Sequence, residues 1–427
     1  MSGLDIGVVG AGIVGVSTAE WLRRDGHRVT LFDRHNPGSP DQTSFGNAGV
    51  LAGTALVPVP VPGLLKKAPK MLFDPLGPLH LRWSYLPRLI PWLIPFLKRA
   101  TRADVERTAA GLSDICGDTL DQHRAISNGT PAEAFIDEGP YTYLYRTRAD
   151  FAGDKLGNEI RDAYGLIPEE WDRARLEDEA PGLGPDYTFA AAFPGNGWVT
   201  SPGNYLAALF GYFQQNGGSF IQGEVADIRP TEGAAEVTCG ETHCFDKVVL
   251  AGGAWSTKLA KRLGHDPGLE AERGYHIVFE GANRRPSCPL MVSDAKFVMT
   301  PMSQGLRCAG QVEFGGLEAG PSEAPYRLVH QRIRDLYPDL EWQQEHRWLG
   351  HRPSTIDSLP FIGPSPKAPQ IHFAFGAQHV GLTTGPKTGR LIADLIGGRR
   401  PNIDLSPFAV GRFDHSRNER GTGPASP

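Results

Sequence analysis

The sequence predicts an α/β fold: a Rossmann-type dinucleotide-binding domain with an interleaved antiparallel-sheet α+β domain. Three observations carry this. Residues 5–33, DIGVVGAGIVGVSTAEWLRRDGHRVTLFD, read as strand, glycine turn, helix and second strand. Two more apolar strands run into glycine-rich turns, at residues 251–254 and 376–389. Residues 273–315 alternate apolar and polar with the period of a sheet.

In the first unit each part has a physical task. Gly10 permits the tight turn, Gly12 lets backbone N–H groups approach a pyrophosphate, and Gly15 lets the helix lie close to the strand. The helix opening at Ile13 and Val14 brings free N–H groups and positive potential to the phosphates. Asp33, at the end of the second strand, is placed to accept both ribose hydroxyls, with Arg34 beside it. An acidic residue here argues against NADP, whose extra phosphate prefers an arginine, but does not separate NAD from FAD.

Composition narrows the function classes. A chain of 427 residues with 40% apolar and 21% charged residues reads as a soluble enzyme of two domains, or of one elaborate domain with a second inserted. A net charge of −5 supplies no basic footprint for nucleic acid. Cys116, Cys239, Cys244, Cys288 and Cys308 are odd in number and scattered, so neither a disulfide framework nor a metal site is expected, and a reducing, cytoplasmic compartment fits best. The chain enters its first strand almost at once, leaving no room for a signal peptide, and no run of about 18 apolar residues suggests a membrane span.

Beyond Asp33, the Gly/Ser/Asn/Pro-rich run 34–53 reads as a loop. In WSYLPRLIPWLIPFLKRA (residues 83–100), Leu86, Leu89, Ile90, Leu93, Ile94 and Leu97 fall at helical spacing, while Pro87, Pro91 and Pro95 should break or kink a helix. This segment is either a buried cover for the substrate pocket or, through residues 83–99, a peripheral membrane contact. Helices are expected over residues 102–129, 151–164, 176–180 and 325–336, a turn with a capping residue and a helix over 198–215, and a strand with alternating tyrosines over 138–145. Strands joined by short turns follow at 219–230, 234–240 and 242–250, with another at 371–376, then a helix after the last glycine turn. The polar tail after Gly411 reads as disordered. Three glycine-rich strand ends suit an extended cofactor such as FAD better than NAD.

TSFGNAG (Thr43–Gly49), LAGGAWS (Leu250–Ser256), GHRPSTIDSLPFIG (Gly350–Gly363) and FGAQHVGLTTGPKTGRLIADLI (Phe375–Ile396) follow one another in that order. With the N-terminal fingerprint they resemble the D-amino-acid oxidase superfamily of FAD-dependent oxidoreductases over nearly the whole chain. KAPKMLFDPLGPLHLRWSYLPRL resembles its D-amino-acid dehydrogenase branch. The resemblance implies a discontinuous FAD-binding domain (residues 1–56, 150–270 and 340–412) and a substrate domain (57–149 and 271–339), with 413–427 as the tail.

It also implies site residues. Gly10, Gly12, Gly15 and Asp33 would hold the ADP half of FAD; Ser44, Asn47, Ala48 and Gly49 would run beside the ribityl chain and ring. Val225 would meet the adenine, Ala251, Gly252 and Trp255 would close over the pyrophosphate, and Gly381, Leu382, Thr383 and Thr384 would face the flavin pyrimidine. A helix opening near Thr384 would aim its positive end where charge accumulates on reduction. Some relatives attach FAD through a C-terminal cysteine; none follows Cys308, so the FAD is expected to be non-covalent. Arg352 would clamp the substrate carboxylate, with Arg307 as second candidate, Tyr275 as hydroxyl partner and His379 bordering the ring; Asp357 reads as a turn organiser.

The implied reaction takes a D-amino acid to its 2-oxo acid and ammonia, by hydride transfer from Cα to flavin N5, with electrons passed to quinone or a carrier protein. Alternatives are a dehydrogenase of a cyclic imino acid such as a D-proline or D-hydroxyproline, a flavin subunit of an electron-transfer complex, a glycine- or sarcosine-type oxidase, and an NAD-dependent dehydrogenase.

Overall fold

The computed structural model describes residues 3–64, 66, 77 and 79–413. The unit expected at the N-terminus is present: β1 (Asp5–Val9), α1 (Ile13–Arg24) and β2 (Arg28–Asp33). β1 lies at the centre of a six-stranded sheet, parallel to β2 on one side and to Lys247–Leu250 on the other. Ala368–Phe375 extends it in parallel, Phe361–Ser365 pairs antiparallel at that edge, and Ser219–Gln222 closes the far edge.

Both faces of this sheet are covered, which is why the middles of its central strands are apolar. Ile6 and Val8 point into a core with Ile13, Val16 and Ala19 of α1, Leu206 and Leu209 of the helix Pro202–Gln215, and Leu391 and Ile392 of the helix Gly381–Ile396. Val9, Phe32, Val248 and Leu250 point the other way, toward Ile228, Val237 and Phe245 of a small three-stranded antiparallel sheet. α1 and the Gly381–Ile396 helix touch at backbone distance. A Cβ on Gly389 would stand 2.7 Å from the Ser17 carbonyl carbon, and one on Gly385 would stand 2.9 Å from Ile13.

The second sheet runs Gln344–Thr355, Leu269–Glu280, Gly305–Phe314, Phe297–Met302, Leu290–Val292, Ile136–Tyr145, Phe189–Val199 and Val50–Leu51, mostly antiparallel. Period-two alternation divides its residues. Tyr275, Ile277 and Phe279 pack with Tyr326, Val329 and Ile333 of the helix Glu323–Leu336. Glu272, Gly274 and His276 point from the same strand to the opposite face.

Several expectations change. Phe189–Val199 and Gln344–Thr355 fall in segments assigned to the FAD-binding domain, yet both pair in the large sheet. Pairing partner is a non-local property that alternation along one strand does not encode. The 102–129 helix is two, Arg102–Cys116 and Thr119–Ser127, parted at Gly117 and Asp118. Helix Leu86–Lys98 is continuous despite Pro91 and Pro95. Pro87 sits in its first turn, where no N–H is needed, and the four-residue spacing puts the prolines on its outer side, where the freed carbonyls meet water. Four of the five cysteines are buried, whereas Cys244 is exposed, and all five are free thiols. Residues 414–427, the expected tail, lie outside the described residues.

Substituting Gly389→Ala forces a Cβ against the α1 backbone, so the midpoint of chemical unfolding should correspond to a loss of about 1–3 kcal/mol. An unchanged midpoint would show that the two helices can part freely.

Candidate functional site

The two sheets enclose one cavity of about 1720 Å³ that reaches from the first glycine turn to the rim of the large sheet. Its wall at one end is the βαβ turn. Gly10 has φ +104°, and a Cβ there would lie 2.5 Å from the Ala251 carbonyl oxygen. A Cβ on Gly15 would fall 1.7 Å from the Gly10 carbonyl oxygen, so only glycine lets α1 approach the turn this closely. The Asp33 carboxylate accepts from the Ala11 N–H (2.7 Å) and the His35 N–H (2.9 Å), and the Gln42 amide donates to it (3.2 Å). Val225, Ala251, Gly252 and Trp255 line this end, and the Arg34 guanidinium lies over the Trp255 ring at 4.8 Å.

Next along the cavity is the loop 34–49. Ser44 Oγ accepts from the Ile13 N–H (3.0 Å), tying the loop to the opening of α1, and Asn47 Oδ1 accepts from the Gly49 N–H (2.9 Å). From its other side the large sheet grips the loop carbonyls one after another. Trp348 Nε1 donates to Pro40 O (2.7 Å), and Arg307 Nη1 donates to Phe45 O (3.1 Å) and Asn47 O (2.6 Å). His276 Nδ1 meets Gly46 O (3.0 Å), and Thr300 Oγ1 donates to Ala48 O (2.7 Å). Arg307 is fully enclosed, burial lowers its pKa to about 10, and it stands behind the cavity wall rather than in it. Gln42, His276, Thr300 and Trp348 carried no signal in the sequence, because each acts on a backbone carbonyl or carboxylate distant in the chain.

At the next stretch strand register builds a charged site. Glu272 lies opposite Arg352, Gly274 opposite Gly350, and His276 opposite Trp348. The two glycines make room for the two large neighbours: a Cβ on Gly274 would stand 2.6 Å from the Arg352 guanidinium carbon, and one on Gly350 would stand 1.9 Å from the Trp348 ring. Arg352 Nη1 donates to Glu272 (2.8 Å) and to Gln311 O (3.3 Å), and Ser354 Oγ donates to the other Glu272 oxygen (3.1 Å). His379 Nδ1 stands 4.0 Å from Glu272. Burial works against the Glu272 charge, but His379, Arg352 and Ser354 hold its carboxyl below the usual range. His379 opens onto the cavity with its side chain 40% exposed there; desolvation lowers its pKa, and Glu272 opposes that shift.

Tyr275 is placed differently from its neighbours. Its hydroxyl donates to Glu313 (2.5 Å) and accepts from the Ser322 N–H (3.1 Å), within a buried knot that includes Arg273, on the helix-covered side of the sheet. Burial, with the Glu313 carboxylate beside it, pushes its pKa up to about 12. Asp357 receives two hydrogen bonds from Arg412 and one from the Leu359 N–H, an organising role in its turn.

The cavity closes on the start of the helix Gly381–Ile396, where Gly381, Leu382 and Thr383 line the wall and Thr384 is buried behind them. The first turn is fixed from outside: Thr119 Oγ1 donates to Thr383 O (2.7 Å), and His123 bridges Leu382 O and the Tyr205 hydroxyl, both at 2.8 Å. Burial depresses the His123 pKa to about 4, so the ring is neutral at pH 7. Among the described residues no cluster of His, Cys, Asp or Glu could hold a metal ion.

A cradle of close backbone approach at two glycine turns, an acidic residue at the end of β2 and two helix N-termini on one long cavity define a protein built for an extended dinucleotide, and the residues fit FAD. The family model of FAD-dependent oxidoreductases (DAO) matches residues 5–395, and the chain belongs to that family. Over 419 residues it is 37% identical to a D-amino-acid oxidase of Bradyrhizobium diazoefficiens, covering 96% of this chain and 99% of that protein. It is 29% identical to a D-amino acid dehydrogenase of Sinorhizobium medicae, covering 95% of this chain and 99% of the other. Among solved structures, glycine oxidase from Geobacillus kaustophilus superposes with a TM-score of 0.71 at 22% identity, covering 96% of this chain and 99% of that one. L-proline dehydrogenase from P. horikoshii superposes with a TM-score of 0.71 at 16% identity, covering 97% and 99%.

Replacing Arg307 by Met leaves two loop carbonyls without their buried donor, at about 1–3 kcal/mol each. Titration of the apoprotein with FAD should then show at least tenfold weaker binding; unaltered affinity would separate the clamp from the cofactor site.

Proposed function

We propose that this protein oxidises D-amino acids to 2-oxo acids and ammonia. The observation that carries the reading is Arg352, held over Gly274 on the cavity face. Among the described residues its hydrogen bonds run through Nη1, and its Nε–Nη2 edge is the pair of donors a carboxylate takes in bidentate fashion. The relatives named D-amino-acid oxidase and D-amino acid dehydrogenase support a D-amino acid as the substrate class.

In this reading Gly10, Gly12, Ile13, Val14, Asp33, Arg34, Val225, Ala251, Gly252 and Trp255 hold the ADP half of FAD. Ser44, Asn47, Ala48 and Gly49 hold the chain that follows, and Gly381–Thr384 face the flavin ring. When bound non-covalently, FAD supplies the two-electron acceptor for the hydride lost from Cα. Arg352 fixes the substrate carboxylate, so Cα has one orientation. His379, whose pKa desolvation lowers, takes the proton of the substrate ammonium, and Glu272 behind it stabilises the resulting imidazolium. Arg307 positions the flavin loop, and Tyr275 braces the sheet through Glu313. We place the domain boundaries at the two sheets, which moves 50–51, 169–171, 189–199 and 344–355 to the substrate domain.

For the electron acceptor we favour a quinone or a carrier protein, met at the cytoplasmic face of a membrane. Trp83, Ile90 and Ile94 are 54%, 41% and 49% exposed on the outer side of the helix region that buries Leu89, Trp92 and Phe96. Arg88 and Lys98 flank them, as an interfacial helix requires. No described helix is long and apolar enough to cross a membrane.

Anaerobic spectra test the reading: D-amino acids should bleach the FAD absorption and L-amino acids should not, and failure of every D-amino acid rejects it. Gly274→Ala, which crowds the Arg352 guanidinium, should raise KM at least tenfold with FAD content unchanged. For wild type, kcat/KM should rise with pH through a pKa below 6.5 and level off. His379→Gln should lower it about 10²-fold at pH 7, with recovery at alkaline pH as the free amine forms unaided. A variant with the wild-type profile removes His379 from proton transfer.

A further inference from the structure

Away from Arg352, the cavity has an arm that the reaction leaves unused. Its wall is the strand Ile136–Tyr145, whose Tyr141, Tyr143 and Tyr145 alternate onto the cavity face. Tyr141 packs with Val50, Ala52 and Val298, directly beyond the loop that ends in Gly49. Tyr143 follows at a ring separation of 5.0 Å from Tyr141, and a strand step of two residues carries the wall about 7 Å outward. Over Tyr143, at 4.6 Å, lies the guanidinium of Arg161, with Phe193, edge-on to Tyr143, 5.6 Å from the same guanidinium.

Arg161 is 5% exposed and lines the cavity. Its Nε has no hydrogen-bond partner, and Nη1 makes only long bonds to Asp154 (3.4 Å) and Asn158 (3.3 Å). Asp154, on the exposed rim, is partly open to water, so the buried cation is incompletely neutralised. A cation held this way on an aromatic floor is a site for an anion that brings its own lone pairs and displaces little water.

We propose that Arg161 is a second anion-binding group, which receives the side-chain carboxylate of an acidic D-amino acid whose α-carboxylate lies on Arg352. The inference rests on the amino-acid-oxidising reading above and adds the substrate class: dicarboxylic D-amino acids. Tyr141 and Tyr143 flank the methylenes between the two anionic ends. Neutral side chains enter the same arm without the ion pair.

The test is the ratio of kcat/KM for D-glutamate to that for the isosteric D-glutamine, in wild type, Arg161→Met and Arg161→Lys. Wild type should favour D-glutamate at least tenfold. Arg161→Met should reduce that ratio by ten- to a hundredfold while kcat/KM for D-methionine stays within threefold, and Arg161→Lys should restore part of it. Binding of glutarate against valerate, read as a perturbation of the flavin spectrum of the wild-type holoenzyme, reports on the arm without turnover and without a variant that must fold. Tighter binding of glutarate supports the subsite. Equal binding of the two acids overturns it, as does a uniform fall for all substrates in Arg161→Met. If no D-amino acid reduces the flavin yet glutarate binds preferentially, the subsite stands and the oxidation reading fails.

Discussion

The loop from Pro40 to Gly49 is sandwiched between the opening of α1 and the face of the large sheet, and the site depends on that sandwich. A loop buried on both sides must pair its carbonyls, since each left unpaired costs about as much as a lost hydrogen bond. Trp348, Arg307, His276 and Thr300 do so for Pro40, Phe45, Gly46, Asn47 and Ala48. The donors come from four adjacent strands of the sheet. The cofactor-side loop is therefore rigidly referenced to the strands that carry Glu272 and Arg352.

The same strands set the electrostatics. Arg352 and Glu272 face each other across one ladder position, so a full positive charge is kept in the cavity beside a carboxylate that balances it. Breaking such a pair would leave an uncompensated buried charge, which is more costly than either residue's share of the bond. Burial keeps His123, His276 and His351 from protonating near neutrality, so the charge that faces Glu272 across the ladder is that of Arg352. Glycine is the structural complement of these large groups: Gly46, Gly274 and Gly350 leave the volume that Trp348 and Arg352 occupy.

The helix Gly381–Ile396 links the two halves of the site. Gly385 and Gly389 bring it against α1, while Thr383 Oγ1 donates to Val50 O in the large sheet. Its first turn is held by Thr119 and His123 from a third direction, which fixes the helix N-terminus relative to both sheets.

What the sequence by itself determined is local. The βαβ unit, its three glycines and Asp33 and the two later glycine turns are legible because turn geometry, close backbone approach and short-range periodicity leave a signature within a few residues, whereas Arg352 is reached only through the family resemblance. Only the tertiary structure decided the rest. Phe189–Val199 looks like any half-buried strand until its neighbours in the sheet are known. Helix Leu86–Lys98 survives its prolines because their common side faces outward. Arg307 reads as a substrate arginine in sequence and turns instead to Phe45 and Asn47, more than 250 residues away. Glu272, His276 and Arg161 acquire their meaning from what lies opposite or above them. Pairing across strands and burial against distant backbone are non-local, and a linear pattern holds no record of them.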